Sequence, residues 1–220
     1  MTAEDVVSRV RQAEQSAGRE AGSVCVVAVS KVQPIDRVKA ALAGGQRRFG
    51  ENRVQEAQER WGALRSDYPD LVLHLIGPLQ TNKVRAAVAL FDVIESVDRE
   101  KLARKLAEEM AAQGRRLPVF VQVNTGAEGQ KAGASVEDAP ALVDLCRNEL
   151  GLDVRGLMAI PPADEPPAPH FALLKKMADE LGLPELSMGM SGDFETAIAM
   201  GSTEVRVGSA FFGARVKPEA

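Results

Sequence analysis

Apolar, β-branched runs alternate with segments of helical period along the whole chain. Eight runs read as strands: "VCVVAVS" (24–30), "RRFG" (47–50), "LVLHLIG" (71–77), "FDVIES" (91–96), "PVFVQVN" (118–124), "VRGLMAI" (154–160), "ELSMGM" (185–190) and "EVRVG" (204–208). Several are continuously apolar, the pattern of parallel strands covered on both faces. Between them, "PIDRVKAALAGG" opens on proline and closes on glycines, as helices do. "DREKLARKLAEEMAAQG" has apolar residues at 102, 103, 106, 107 and 110 and stops at Gly114, and "DAPALVDLCRNELG" and "APHFALLKKMADELG" also end in glycine. A further helix, about Ala3 to Ala17, precedes the first strand. Eight strands, each followed by a helix or a short helical turn, predict an α/β chain forming a single (β/α)8 TIM barrel with an extra N-terminal helix, one domain over residues 1–220. A doubly wound open sheet is the alternative, but it usually has fewer strands and leaves two unpaired edges. "PPADEPPAP" (161–169) holds five prolines and is expected to be a stiff connector at the barrel mouth, unable to continue helix or sheet.

Composition narrows the picture further. Hydrophobic residues make up 45% and charged residues 26% of 220 positions, values that suit a soluble globular protein with a substantial core. The net charge is −4, and no basic block marks a nucleic-acid partner. No apolar run approaches the roughly 20 residues that span a bilayer, and "MTAEDVVSRVRQAEQ" lacks the apolar stretch of a signal peptide. The two cysteines, Cys25 and Cys146, form no metal or redox motif and read as small buried hydrophobes. These features suit a cytoplasmic protein, and a monomer is expected, since a closed barrel has no edge strands to pair.

Barrel sites form where strands end. Lys31 follows the first strand, "GEN" (50–52) the second, "GPLQTNK" (77–83) the third and "NTGAEGQKAG" (124–133) the fifth. The last two strands run into "GMSGD" (189–193) and "VGSAFFG" (207–213), turns rich in glycine and serine that each open a helix. Their free N–H groups suit a phosphate, with hydroxyls from Ser191 and Ser209 and close approach at Gly192 and Gly208. Each turn alone is also an ordinary helix cap. Two of them opposite a strand-end lysine are a far more specific combination. A partly desolvated lysine condenses with aldehydes, so phosphate and carbonyl together point to pyridoxal 5′-phosphate. Arg206 shares a strand face with Gly208. If that face points inward, its guanidinium could reach the pyridine nitrogen; the plainer reading of Arg206 is a structural ion pair in the barrel interior. Lys83 and Lys131 stand in strand-end loops, where lysines are mostly solvated.

With these residues assembled, the chain resembles the YggS/PROSC family of pyridoxal phosphate homeostasis proteins, which look like the N-terminal barrel of alanine racemase standing alone. The motifs are "AVSKVQP", "FGENRVQE", "LIGPLQTNK", "ESVD", "GLMAIP", "LSMGMSGD" and "GSTEVRVGSAFFGAR", in order along nearly the entire chain. The resemblance implies that Lys31 carries the cofactor as an internal aldimine, that Arg206 faces the pyridine nitrogen, and that Ser191, Gly208 and Ser209 bind the phosphate. Asn52 and Met158 would line the ring; a strand-end cap and plain core are their plainer readings. His74 faces either the interior or a core hydrogen-bond partner and is left out of the site. Arg53, Val32 and Gly192 depart from residues common in the family, and Ser209 keeps a hydroxyl where threonine is frequent.

The resemblance implies a binding protein in vitamin B6 homeostasis, a reversible carrier and buffer with apo-enzymes as candidate recipients. The alternative is a pyridoxal-phosphate-dependent racemase-like enzyme. An arginine at the ring nitrogen makes the cofactor a weak electron sink, and racemases of this barrel type compensate with a tyrosine base from a second domain. The only tyrosine here, Tyr68, is in "RSDYPD" before the third strand, toward the opposite mouth. A class I aldolase-like enzyme is a third reading, in which Arg206 has no evident purpose.

Overall fold

The structure, a computed structural model, describes residues 3–129 and 132–213. The eight strands follow in order: β1 (Cys25–Val29), β2 (Arg48–Glu51), β3 (Val72–Leu75), β4 (Val93–Val97), β5 (Pro118–Val123), β6 (Asp153–Ala159), β7 (Glu185–Ser187) and β8 (Glu204–Val207). All neighbouring pairs are parallel, and β8 returns to pair with β1, closing the barrel. α1 (Ala3–Ser16) precedes it. Between strands come α2 (Ile35–Ala43), α3 (Val54–Trp61), α4 (Val84–Leu90), α5 (Glu100–Ala112), α6 (Ala139–Asp144), α7 (Pro167–Glu180) and α8 (Phe194–Ala199), and α9 (Ser209–Phe212) follows β8. The barrel expected from the eight apolar runs is therefore the one observed.

Alternate strand residues serve two different cores. Ala28, Phe49, Leu73, Ile94, Val121, Leu157 and Val205 join the main apolar cluster with the buried faces of the helices. Val93, Phe120 and Met158 form a separate, fully enclosed cluster. The period of two along each strand puts this second set on the opposite, inner face.

Several boundaries differ from expectation for local reasons. β4 begins at Val93, because Phe91 ends α4 and the Asp92 carboxylate accepts from Leu73 N at 2.8 Å and from Arg65 Nη2 at 2.5 Å. β7 stops at Ser187: Gly189 takes φ +97°, and Met190 N donates to Asp193 Oδ1 at 2.6 Å instead of to a strand. The helix expected over 138–151 is α6 followed by a π-helical turn, Leu145–Glu149. The proline-rich stretch does not stay a connector to its end. Pro167 to Pro169 form the first turn of α7, where proline's missing N–H costs nothing. The remainder packs at the mouth: a Cβ on Gly126 would lie 2.3 Å from Pro162 Cγ. His170 fastens it, within hydrogen-bond distance of Thr125 Oγ1 (3.1 Å) and Glu165 Oε2 (3.0 Å).

Candidate functional site

Lys31 stands in a tight turn directly after β1. Ser30 N donates to Gly50 O at 3.1 Å, continuing the β1–β2 ladder, and Gln33 N donates back to Ser30 O at 3.0 Å. Lys31 and Val32 are the middle of that turn, and Val32 adopts φ +53°, a region costly for a β-branched residue. A buried clamp holds the turn from behind. Glu51 Oε1 accepts from Ser30 Oγ (2.6 Å) and Trp61 Nε1 (3.0 Å) and lies 3.1 Å from Arg60 Nε. Arg60 Nη1 donates to Gln33 O at 2.6 Å, so one arginine joins the carboxylate to the far side of the turn. Burial pushes the Glu51 carboxyl up, against these donors.

β2 delivers Asn52 to the same end. Its Oδ1 is buried and has no hydrogen-bond partner, an arrangement that calls for a donor from outside the chain. The backbone of Asn52 lies against Gly77, where a Cβ would come within 2.3 Å of Asn52 O. A strand-end cap would need Oδ1 to accept a backbone N–H, and it accepts none.

The closing strands supply the rest. Ser191 Oγ accepts from Gly208 N and Ala210 N, both at 3.3 Å, so the first amides of the last turn converge on an oxygen. Ser209 is exposed beside them and Gly208 half-buried. A Cβ on Gly208 would lie 3.5 Å from Val29, two residues before Lys31. The lysine turn and the glycine–serine turn are therefore next to each other along the β1–β8 seam, a correction to the expected placement on opposite sides of the mouth.

Arg206 points inward and is 3% exposed. Nη2 donates to Ala159 O at 2.9 Å and Nη1 to Ser187 Oγ at 2.6 Å. The two readings of Arg206, ring contact and interior ion pairing, are thus compatible, since it is tied to the interior polar groups from one side. Met158 pairs in register with Ser187 and is fully buried with Val93 and Phe120, so it belongs to the barrel filling beneath the strand ends.

Four interior residues escaped the sequence reading of the site: His74, Glu95, Ser187 and Glu204, all buried. The signal was present as single polar residues inside apolar strands. His74 was noticed, and its interior position and hydrogen bond to Glu95 both hold. Cys146 is buried as expected, whereas Cys25 is half-buried near the N-terminal end; burial raises both thiols to about 12. Tyr68 precedes β3, with the Arg47 guanidinium 5.4 Å over its ring, at the end of the barrel away from Lys31. Lys83 ends the short helical turn before α4. Lys131 lies outside the described residues.

The family model of the alanine racemase N-terminal domain matches residues 5–216 of the sequence. A pyridoxal phosphate homeostasis protein of Pseudomonas aeruginosa is 46% identical over 215 residues, covering 96% of this chain and 93% of that protein. The chain belongs to the pyridoxal phosphate homeostasis protein family. Another member, from Deinococcus radiodurans, is 40% identical and is covered completely, with 96% of this chain. Among solved structures, the family member PipY of Synechococcus elongatus, with PLP bound, is 38% identical, with a TM-score of 0.81, covering 93% of this chain and all of that one. Alanine racemase of Clostridium difficile, 16% identical with a TM-score of 0.71, shares the fold over 98% of this chain and 58% of its own length.

Proposed function

We propose that this protein binds pyridoxal 5′-phosphate reversibly at the C-terminal ends of β1, β2 and β8, and that it buffers the cofactor and hands it to apo-enzymes. The observation that carries this reading is the β1–β8 seam: the Lys31 turn lies beside the Gly208 backbone, with Arg206 two residues behind it on the inner face. Bound there, pyridoxal phosphate supplies an aldehyde, a phosphate and a pyridine nitrogen. The residues present match each part. Lys31 is the covalent anchor for the aldehyde carbon, its turn held by the Glu51 clamp. The amides that meet at Ser191 Oγ suit phosphate oxygens, with Gly208 and the exposed Ser209 hydroxyl beside them. Arg206, always a cation, is the partner for the ring nitrogen, and Asn52, whose Oδ1 is buried and unpartnered, is the group for the ring's edge, while Met158 fills the barrel beneath.

The same set argues for carriage over racemization. An arginine keeps the ring nitrogen unprotonated and so weakens the cofactor as an electron sink. A two-base exchange needs a second proton donor facing the ligand, and Tyr68, the one tyrosine of the chain, is at the other end of the barrel. No helix among the described residues is long and apolar enough to cross a membrane.

The test begins with absorbance. Mixed with pyridoxal phosphate, the wild-type protein is expected to turn yellow and, after borohydride reduction, to carry one pyridoxyl group on the Lys31 peptide by mass. Lys31→Ala is expected to lose both signals. An unchanged spectrum in that variant overturns the assignment of the anchor. Exchange of the α-proton of any amino acid in deuterated water would favour the racemase reading instead, and transfer to an apo-enzyme in the presence of a trap for free aldehyde measures delivery.

A further inference from the structure

Behind Arg206, the barrel interior contains a connected set of ionisable groups that ligand contact does not use. The Ser187 hydroxyl, which accepts from Arg206, donates in turn to Glu95 Oε2 at 2.5 Å. Glu95 Oε1 lies 2.7 Å from His74 Nδ1, and the same nitrogen lies 3.5 Å from Glu204 Oε1. Glu95 and Ser187 are fully buried, His74 is 1% exposed and Glu204 6%. Glu204 also lines an opening at the N-terminal end of the barrel, together with Cys25, Arg48 and Glu185. The set thus runs from the ligand end to the opposite mouth.

A serine hydroxyl has one proton. Two carboxylates compete for it, Glu95 Oε2 at 2.5 Å and Glu204 Oε1 at 3.2 Å; given to either, it leaves the oxygen lone pairs toward Arg206, and the shorter contact makes Glu95 the main acceptor. Burial opposes charge on His74, but the Glu204 and Glu95 carboxylates outweigh it and raise the imidazole to about 10. Burial also opposes ionisation of Glu204, yet the His74 and Arg206 cations hold it low. Glu95 is raised by burial and by the Glu204 charge, and is the member whose proton count changes most readily. With Glu95 ionised, two cations balance two anions; with Glu95 protonated, one positive charge is uncompensated at the Arg206 end.

By residue type His74, Glu95 and Glu204 match a divalent-cation site, with ligand atoms within 4.8 Å of one another. Arg206 already brings a cation to those carboxylates, and His74 Nδ1 is engaged with Glu95 and Glu204.

We propose that Ser187 and Glu95, backed by His74 and Glu204, are positioning residues that orient Arg206 and set the positive field it presents to the pyridine nitrogen of the bound ligand, with protons reaching Glu95 through Glu204 from the N-terminal opening. The inference rests on the pyridoxal phosphate reading for its ligand half. The charged and titratable groups around the set are Cys25 from β1, Arg48 from β2, Arg155 and Asp153 from β6, which act on it through Glu185, and Glu185 from β7, besides its own members on β3, β4 and β8. β5 contributes Phe120 and Gln122 and no titratable group. Cys25 stays a thiol, and burial keeps Glu185 raised as well, so neither competes for the Arg206 end.

Two measurements on the full chain separate this proposal from the cofactor reading. The first needs no ligand. The chain has two histidines, so in His170→Asn the ring-nitrogen NMR signals belong to His74 alone. They are expected to remain those of the protonated ring up to about pH 8, well above the free side chain's value of about 6.5. A ring titrating at that ordinary value overturns the relay. The second follows the visible absorbance of the loaded protein with pH. Glu95→Gln and Ser187→Ala are expected to move its midpoint to lower pH and to weaken retention of pyridoxal phosphate about tenfold. Ser187→Thr, which keeps the hydroxyl, is expected to restore both. Should Ser187→Ala fail to fold, the near-isosteric Glu95→Gln carries the comparison. Lower thermal stability with an unchanged pH profile would reduce these residues to a structural role and overturn the proposal. A wild type that takes up no cofactor overturns the binding reading and the ligand half of the inference, while the histidine titration still decides the relay.

Discussion

Val32 shows how a single residue shapes the lysine turn. At φ +53°, it occupies the left-handed region, and its side chain is 60% exposed, so packing does not repay the conformation. The strain is of order 1–2 kcal/mol, sustained by the Gln33–Ser30 bond and by Arg60. Asparagine tolerates this region, and Val32→Asn is expected to stabilise the ligand-free protein by about 1 kcal/mol, a rise of about 2–4 °C in thermal midpoint. A drop in midpoint would show that the valine side chain makes a contribution larger than its strain. At this scale the sequence disclosed some residues and hid others. Lys31 was legible because a charge at the end of an apolar run has few structural uses, and Arg206 because it shares parity with Gly208. Glu95 and Ser187 were not, because one polar residue in a strand faces either the helices or the interior, and only the register of the neighbouring strands decides which.

Between elements, the approach of β3 to β2 depends on Gly77. A methyl group there would stand 2.3 Å from the Asn52 carbonyl oxygen, a backbone atom that cannot swing aside. Gly77→Ala is expected to destabilise the protein by about 1–3 kcal/mol and to loosen cofactor retention by displacing Asn52, read by thermal unfolding and by absorbance titration. Unchanged retention with lowered stability would remove Asn52 from the site. The strands themselves were legible as apolar runs, but their ends were less so. β7 ends where Asp193 captures the Met190 amide, and β4 starts late because Asp92 is engaged as a clamp. Such ends are fixed by partners distant from the run itself, which local hydrophobicity does not record. The start of α7 inside the proline stretch follows the same logic: proline excludes a helix interior and favours its first turn.

The whole molecule is a ring closed by β1 and β8, with α1 packed against α8 and α9. Eight consecutive strand–helix units made the closed form readable, since the number and order of parallel strands leave no edge to explain. How α1 is fastened was not readable. Its Glu14 carboxylate is fully buried and accepts from Gly22 N (3.0 Å), Val24 N (2.6 Å) and Arg11 Nη1 (2.8 Å), joining the helix to the entrance of β1. Burial works against its ionisation, but Arg11 and the two amides prevail and hold the carboxyl below its usual 4.5. A folded value below the unfolded one means that this stabilisation is complete above about 4.5 and fades as the pH falls through the folded value. Glu14→Gln is accordingly expected to cost about 2 kcal/mol at neutral pH, with the gap from wild type closing in acid; a constant gap across the acid range would contradict it.

The buried quartet of His74, Glu95, Ser187 and Glu204 also has a historical consequence. Removing any one of its ionised members strands a charge in an apolar interior, a loss of several kcal/mol, whereas exchanging all four together with Arg206 for well-packed aliphatic side chains need not weaken the fold. Positions 74, 95, 187, 204 and 206 are therefore expected to drift as a block. Lineages should keep the ionic set intact or abandon it wholesale, and half-converted intermediates should be scarce.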